Sequence, residues 1–211
     1  LHLSIRRQRQ MCIRDSSTRG LVAAVGHIER YNPALQQLRA RLEAGELGEL
    51  YQVVTRRQGP FPARIADVGV VKDLASHDID LTAWVTQRDY EWVAARSVFK
   101  AGREYEDMVS ATCSLTGGLM SNHLVNWLTP TKERLTAVTG EKGMFVADTL
   151  TADLSFYANA SVQQTWDDLA RFRGVAEGDV TRFAFPKQEP LRTEHERFRD
   201  AVLGLSLIHI S

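Results

Sequence analysis

The chain has 211 residues, 44% of them hydrophobic, and its 26 lysines and arginines equal its 26 aspartates and glutamates. Zero net charge with ordinary hydrophobicity describes a soluble globular protein and argues against nucleic acid as a partner. No apolar run approaches the ~20 residues that cross a bilayer, so no membrane partner is expected. With Cys12 in a terminus set aside below, Cys113 has nothing to bridge, which fits a reducing, cytoplasmic setting.

The two ends are expected to be foreign. Gln10–Ser16 can be encoded by CAG ATG TGT ATA AGA GAC AGC and Leu205–Ser211 by CTG TCT CTT ATA CAC ATC TNN, so both can be read from opposite strands of one short DNA sequence. That sequence resembles the transposon end used to prepare sequencing libraries. Residues 1–16 and 205–211 are therefore read as non-native adaptor translation, and the basic run Arg6-Arg7-Gln8-Arg9 carries no targeting or nucleic-acid signal. What remains is long enough for a sizeable core, and the natural polypeptide is expected to continue beyond both boundaries.

In chain order, Leu21–Val25 is a short apolar run that reads as a buried strand. Asn32-Pro33 caps a helix from Ala34 to Ala44, with Leu35, Leu38 and Leu42 on its apolar face and Gly45 closing it. Leu50–Arg57 is a strand ended by Gly59-Pro60-Phe61-Pro62. A second helix runs from about Val70 to Val85. Trp92–Lys100, Tyr105–Leu115, Leu119–Leu128, Arg134–Thr139 and Gly143–Thr149 then read as strands, with a further one at Leu154–Tyr157. Their short connections, Thr116-Gly117-Gly118 and Gly140-Glu141-Lys142-Gly143, make them antiparallel neighbours. Alternation of Val109, Ala111, Cys113 and Leu115 points one sheet face at helices. Residues 161–185, with Trp166, Phe172 and Phe183 among charges, match no single element; Pro190–Leu203 is a closing helix holding His195 and Phe198. The fold class is α+β, an open antiparallel sheet covered by helices on one face.

The second helix carries the chemistry. Asp73, His77 and Asp80 fall at spacings of four and three, which puts them on one face, while the other positions are mostly apolar. Burying two carboxylates and an imidazole is costly unless they pair with one another or with a ligand. The stripe is thus a candidate proton-transfer site, with His77 able to titrate near neutrality and Asp73 able to hold its tautomer. A satisfied structural His–Asp pair is the alternative. A metal site built from the three is disfavoured, since no further His or Cys lies near.

Three phrases resemble one family. Val25-Gly26-His27-Ile28-Glu29-Arg30-Tyr31-Asn32-Pro33, then Gly45-Glu46-Leu47-Gly48, then Asp73-Leu74-Ala75-Ser76-His77-Asp78-Ile79-Asp80 are similar to the dehydrogenases typified by glucose–fructose oxidoreductase and inositol 2-dehydrogenase. Asn126–Arg134 and Thr139–Gly143 resemble its nucleotide-sugar branch, the UDP-N-acetylglucosamine 3-dehydrogenase-like members. The resemblance implies an NAD- or NADP-dependent oxidoreductase acting on a secondary hydroxyl of a sugar or UDP-amino sugar. It implies that residues 17–31 close a Rossmann domain otherwise missing, and that 32–204 form an α+β domain for substrate binding and for homo-oligomer contacts through the open sheet. The glycine-rich G-x-G-x-x-G loop does not occur in the sequence, and the family's Glu-Lys-Pro lysine is expected upstream of Leu21. The chain alone is therefore expected to be inactive; a non-catalytic substrate-binding or dimerisation module is the competing reading.

By the same resemblance His77 is the general base, or partner of that lysine, and Asp73 its orienting carboxylate. Asp80 is a candidate substrate contact or a packing residue. Lys72 stands a quarter-turn off the stripe, a candidate contact or a solvated lysine. His27 and Arg30 border the cofactor crevice, with an interdomain salt bridge the alternative for Arg30. Arg57 and Arg64, with Arg56, flank the Gly59–Pro62 loop and suit a diphosphate, as does Lys132; Trp127 suits a uracil ring.

Overall fold

A computed structural model of the chain describes residues 18–62, 65, 67–160 and 177–204; both expected adaptor segments, Arg64, Trp166 and Phe172 lie outside them. A 3₁₀ turn at Ile28–Tyr31 leads into helix α1, Pro33–Glu43. Its start is set locally: Asn32 Oδ1 accepts from the Ala34 amide at 3.0 Å, and Pro33 occupies the first position, where no amide hydrogen is needed. Gly45, at φ +71°, turns the chain out of the helix. Leu35 and Leu38 are fully buried beneath it, each contributing about 1.5–3 kcal/mol relative to exposure.

Strand β1 spans Leu50–Pro60. A π-helical turn at Val71–Ala75 then runs into helix α2, Ser76–Thr86. Seven strands follow: β2 Tyr90–Val98, β3 Met108–Leu115, β4 Leu119–Asn126, β5 Leu128–Gly140, β6 Gly143–Asp148, β7 Asp153–Asn159 and β8 Glu177–Arg182. Helix α3, Pro190–Val202, closes the described chain. The strands form one eight-stranded sheet in the order β2-β3-β4-β1-β5-β6-β7-β8. Among the described residues no helix is long and apolar enough to cross a membrane.

Four expectations are corrected. The sheet is mixed, because β1 lies parallel to β4 while every other pairing is antiparallel. The helical segment carrying Asp73 and His77 separates β1 from the later strands, and a connection of that length permits a parallel neighbour. Leu21–Val25 is neither a strand nor buried: no ladder partner lies beside it among the described residues, and Leu21, Val22 and Val25 are exposed. The expected single strand Leu119–Leu128 breaks after Asn126, whose Oδ1 accepts from the amides of Leu128 and Thr129 and turns the chain into β5. Strand β3 starts at Met108 rather than Tyr105, since Asp107 Oδ2 accepts from the Lys100 and Ala101 amides and folds residues 100–107 into a tight connection.

The sheet's two faces differ sharply along a single register. Val93, Cys113, Ser121, Val53, Val138, Phe145 and Phe156 follow one another across β2 to β7, and most of them pack with Leu35, Leu38, Leu81 and Val85 of the helices in the main core. Phe145 lies 4.8 Å from Phe156 and 6.1 Å from Phe183, tilted against both rings. One residue along, the row Trp92, Ser114, Met120, Gln52, Thr139, Met144, Tyr157, Val180 crosses all eight strands on the opposite face. Trp92, Met120, Tyr157 and Val180 there are 53%, 39%, 41% and 59% exposed. A second core cluster, Ile65, Val70, Leu74, Ala75, Val109, Val125 and Trp127, sits under the π-turn.

Candidate active site

The site lies where β1, the 3₁₀ turn and the start of α2 meet. Asp73 belongs to the π-turn and His77 to the first turn of α2, both half-buried. Single π-turns inside helices concentrate at functional sites. This one is held from outside the helix: the Val71 amide donates to Glu106 Oε1 at 3.0 Å, and the Val70 amide to the Glu106 carbonyl at 3.0 Å. The helix is not buried all round, since Val71 and Ile79 are exposed on its outer side.

Burial holds the His77 imidazole below its ordinary range, and the Arg57 cation pushes the same way; Glu29, Asp78 and Asp73 pull in the opposite sense. The charged form of the ring is thereby disfavoured. Among the described residues no side chain hydrogen-bonds either ring nitrogen. A neutral imidazole with its nitrogens uncommitted, beside a carboxylate one turn away, can accept a proton from a hydroxyl.

Arg57 is only 6% exposed and points inward from β1. Its Nε donates to Asp78 Oδ1 at 2.6 Å and its Nη1 to Glu29 Oε1 at 2.8 Å. With both arms so engaged it is not a free fork for a diphosphate. Directly opposite it in the β1–β5 register stands Arg134, half-buried, whose Nη1 donates to the Gln58 carbonyl at 2.7 Å and the Glu133 carbonyl at 2.9 Å. Asp80 takes two hydrogen bonds from Arg30, at 3.0 and 2.6 Å, and faces His27 Nδ1 at 3.1 Å. His27, Arg30 and Asp80 are thus brought together as one ion cluster tying the 3₁₀ turn to α2, and the Arg30 guanidinium is raised further by that bond.

Trp127 is 4% exposed in the second core. The Arg103 guanidinium lies 4.9 Å from its ring and Phe61 meets it edge-on at 5.3 Å, so the face expected to stack on a uracil is already covered. Lys72 and Lys132 are exposed, and Arg56 pairs with Glu133 at 3.0 Å. Among the described residues no group of three His, Cys, Asp or Glu side chains is placed to hold a metal ion.

Sequence reasoning passed over Glu29 and Asp78, the two partners of Arg57. The signal was present: Val53, Thr55 and Arg57 alternate inward along β1, and a cation at an inward position requires a buried acid. It also passed over a polar cluster beneath α2. His123 Nδ1 lies 2.8 Å from Thr55 Oγ1, and its Nε2 3.0 Å from Ser121 Oγ and 3.3 Å from the Tyr90 hydroxyl, which donates to the Ile79 carbonyl at 3.1 Å. Burial pushes His123 down and Tyr90 up.

An open mixed sheet with helices on one face, with Asp73 and His77 at the start of one of them, defines the class of α+β domain. The sequence model of the GFO/IDH/MocA C-terminal domain matches residues 35–146, and the chain belongs to that family. It is 38% identical over 104 residues to UDP-N-acetylglucosamine 3-dehydrogenase of Acidithiobacillus ferrooxidans, covering 49% of this chain and 32% of that protein. The solved structure of that enzyme superposes with a TM-score of 0.73 at 28% identity, over 94% of this chain and 58% of that one. A scyllo-inositol 2-dehydrogenase (NAD(+)) of Bacillus subtilis is 33% identical over 70 residues, 31% of this chain and 20% of that protein. A dehydrogenase from Bordetella pertussis, solved with NADH and UDP-GlcNAcA, shares the fold at TM-score 0.68 and 20% identity over 95% of this chain and 58% of that one. The chain spans a third or less of these curated relatives' length.

Proposed function

We propose that this chain is the substrate-side domain of an oxidoreductase that oxidises a secondary hydroxyl of a sugar or nucleotide sugar, a UDP-amino sugar in particular. His77 takes the hydroxyl proton, and Asp73, one turn before it, offsets the imidazolium charge that forms. The observation carrying this reading is the half-buried His77, one turn after Asp73, whose ring nitrogens are hydrogen-bonded by no side chain among the described residues. The relatives' activities on an N-acetylglucosamine nucleotide and on an inositol support a polyol or sugar substrate.

Among the described residues nothing forms a glycine-lined cradle for a pyrophosphate, and His27 and Arg30 are committed to Asp80. What fits NAD or NADP here is therefore the reacting end alone. The dinucleotide, when bound, accepts the hydride; its binding falls to a nucleotide-binding domain joined to this one. The exposed apolar residues Val71 and Ile79 on the outer side of the helical segment support a covering domain there.

The test is turnover by the full-length protein with a UDP-amino sugar and NAD or NADP. His77→Ala should abolish it while circular dichroism and melting stay those of a folded protein; undiminished turnover would reject the mechanism.

A second reading, an association module, is favoured by the row Trp92–Val180 on the uncovered face. We propose that two copies pair through this face whether or not the site is catalytic. Light scattering should give a dimer, reduced to a monomer by Tyr157→Lys.

A further inference from the structure

We propose that Arg57, with Glu29 and Asp78, is a positioning device for His77: a buried ion triad that fastens the start of α2 to the sheet and to the 3₁₀ turn and keeps one cation beside the imidazole. This rests on the reading of His77 as the proton acceptor.

The three members come from three elements: β1, the 3₁₀ turn and α2. Asp78 is 2% exposed and adjoins His77 in the chain, so the bond at 2.6 Å from Arg57 Nε fixes the helical turn that carries the imidazole. Glu29 sits between Ile28 and Arg30, and Arg30 with His27 grips Asp80 one turn further along α2. The helix segment that follows directly on His77 is thereby held at Asp78, through Arg57, and again at Asp80. Buried ion groups of this kind are weak stability devices, and apolar replacements often serve the fold as well. Their use here is geometric.

The arrangement also selects a charge. The groups bearing on His77 are Asp73 and Asp78 from its own helical segment, Glu29 from the 3₁₀ turn and Arg57 from β1. Three of these four are acids, and all three favour a protonated ring. Arg57 alone among them opposes protonation, and does so from a guanidinium that Asp78 and Glu29 hold still. Without it the ring gains proton affinity, and more of it carries a proton before the substrate hydroxyl arrives.

The experiment is a side-chain NMR titration of the histidines in the whole chain, with His77 assigned by its missing signal in His77→Asn. Arg57→Gln should raise the proton affinity of His77 by about threefold to tenfold, and Arg57→Lys, which keeps the charge, should return it to within about twofold of the unmodified chain. Asp78→Asn should move the midpoint the opposite way. An unmoved midpoint in folded Arg57→Gln overturns the proposal, as does Asp78→Asn shifting in the same direction. If Arg57→Gln does not fold, Asp78→Asn decides; if neither folds alone but Arg57→Gln/Asp78→Asn does, the triad is a fold lock and the proposal fails. If neither single nor double variant folds, it fails for the same reason. None of these readouts requires turnover, so the positioning role can fail while His77→Ala still abolishes catalysis, and the reverse.

Discussion

Trp127 separates a core aromatic from a uracil platform, and its substitution distinguishes the two by magnitude. The ring is 4% exposed among Ile65, Val70, Leu74, Val109 and Val125, with Arg103 over its face and Phe61 at its edge. Trp127→Ala removes that contact and leaves a cavity, a change of about 3–5 kcal/mol. The desolvated guanidinium contact adds up to about 2 kcal/mol, not additively. For a chain of this size that is a fall in Tm of roughly 10 °C. Val70 and Leu74 belong to the same cluster and carry the π-turn, so Trp127→Ala should also loosen Asp73 and lower kcat. Trp127→Phe refills most of the space and should cost about 1 kcal/mol while leaving the affinity for UDP, measured by calorimetry, unchanged. A Trp127→Phe protein of undiminished Tm that binds UDP ten times more weakly would refute the burial argument and restore the stacking role.

Three further outcomes follow from the same geometry. His77 and His123 both have folded-state proton affinities below those of the unfolded chain, so the unfolded state binds more protons as pH falls through the ordinary histidine range near 6.5. Their stability contribution is therefore complete above that range and lost as pH drops toward their folded-state values; melts from pH 8 to 5 should show Tm falling, and His123→Gln should flatten the curve. Gly143 has φ +146°, and a Cβ there would lie 2.2 Å from the Tyr157 carbonyl oxygen, so Gly143→Ala should open the β6–β7 ladder, seen as fast amide exchange at Phe145 and Tyr157. Asp80→Asn weakens two charge-assisted bonds from Arg30, a loss of about 1–2 kcal/mol before screening, which should shrink when melts are repeated in 1 M salt; a salt-independent loss would contradict the ion-pair assignment.

The fold was legible where local chemistry decides it. Asn32-Pro33 and Gly45 bracket α1 as their types require, and Thr116-Gly117-Gly118 turns β3 into β4 through glycines at φ +78° and +77°. The parallel β1–β4 pairing was not legible, because alternation along β1 is the same for either neighbour. In the site, the periodicity that set Asp73 and His77 four apart gave no sign that the backbone between them is a π-turn. Arg57 and Trp127 were misplaced for one reason. Both residue types serve equally as ligand contacts and as satisfied interior groups, and only their partners, Glu29, Asp78 and Arg103, decide between the roles.

Strand β1 shows how one sheet presents two faces of different character. Arg57 turns inward to Asp78 and Glu29, while Arg56, its neighbour, turns outward to Glu133 on the bare face. The period of two that separates these roles also links them. A slip of one residue in the β1–β5 register would carry Arg57 to the exposed face, leave buried Asp78 and half-buried Glu29 without a cation, and bring Arg56 in against the helix. Register is therefore specified electrostatically as well as by the apolar rows. The same pairing that sets the exposed Trp92–Val180 row also turns the Arg57 guanidinium toward Asp78 and Glu29. Substitutions that break copy-to-copy contact through side chains alone, such as Tyr157→Lys, should leave the His77 titration untouched, whereas any change that moves β1 against β5 should disturb both.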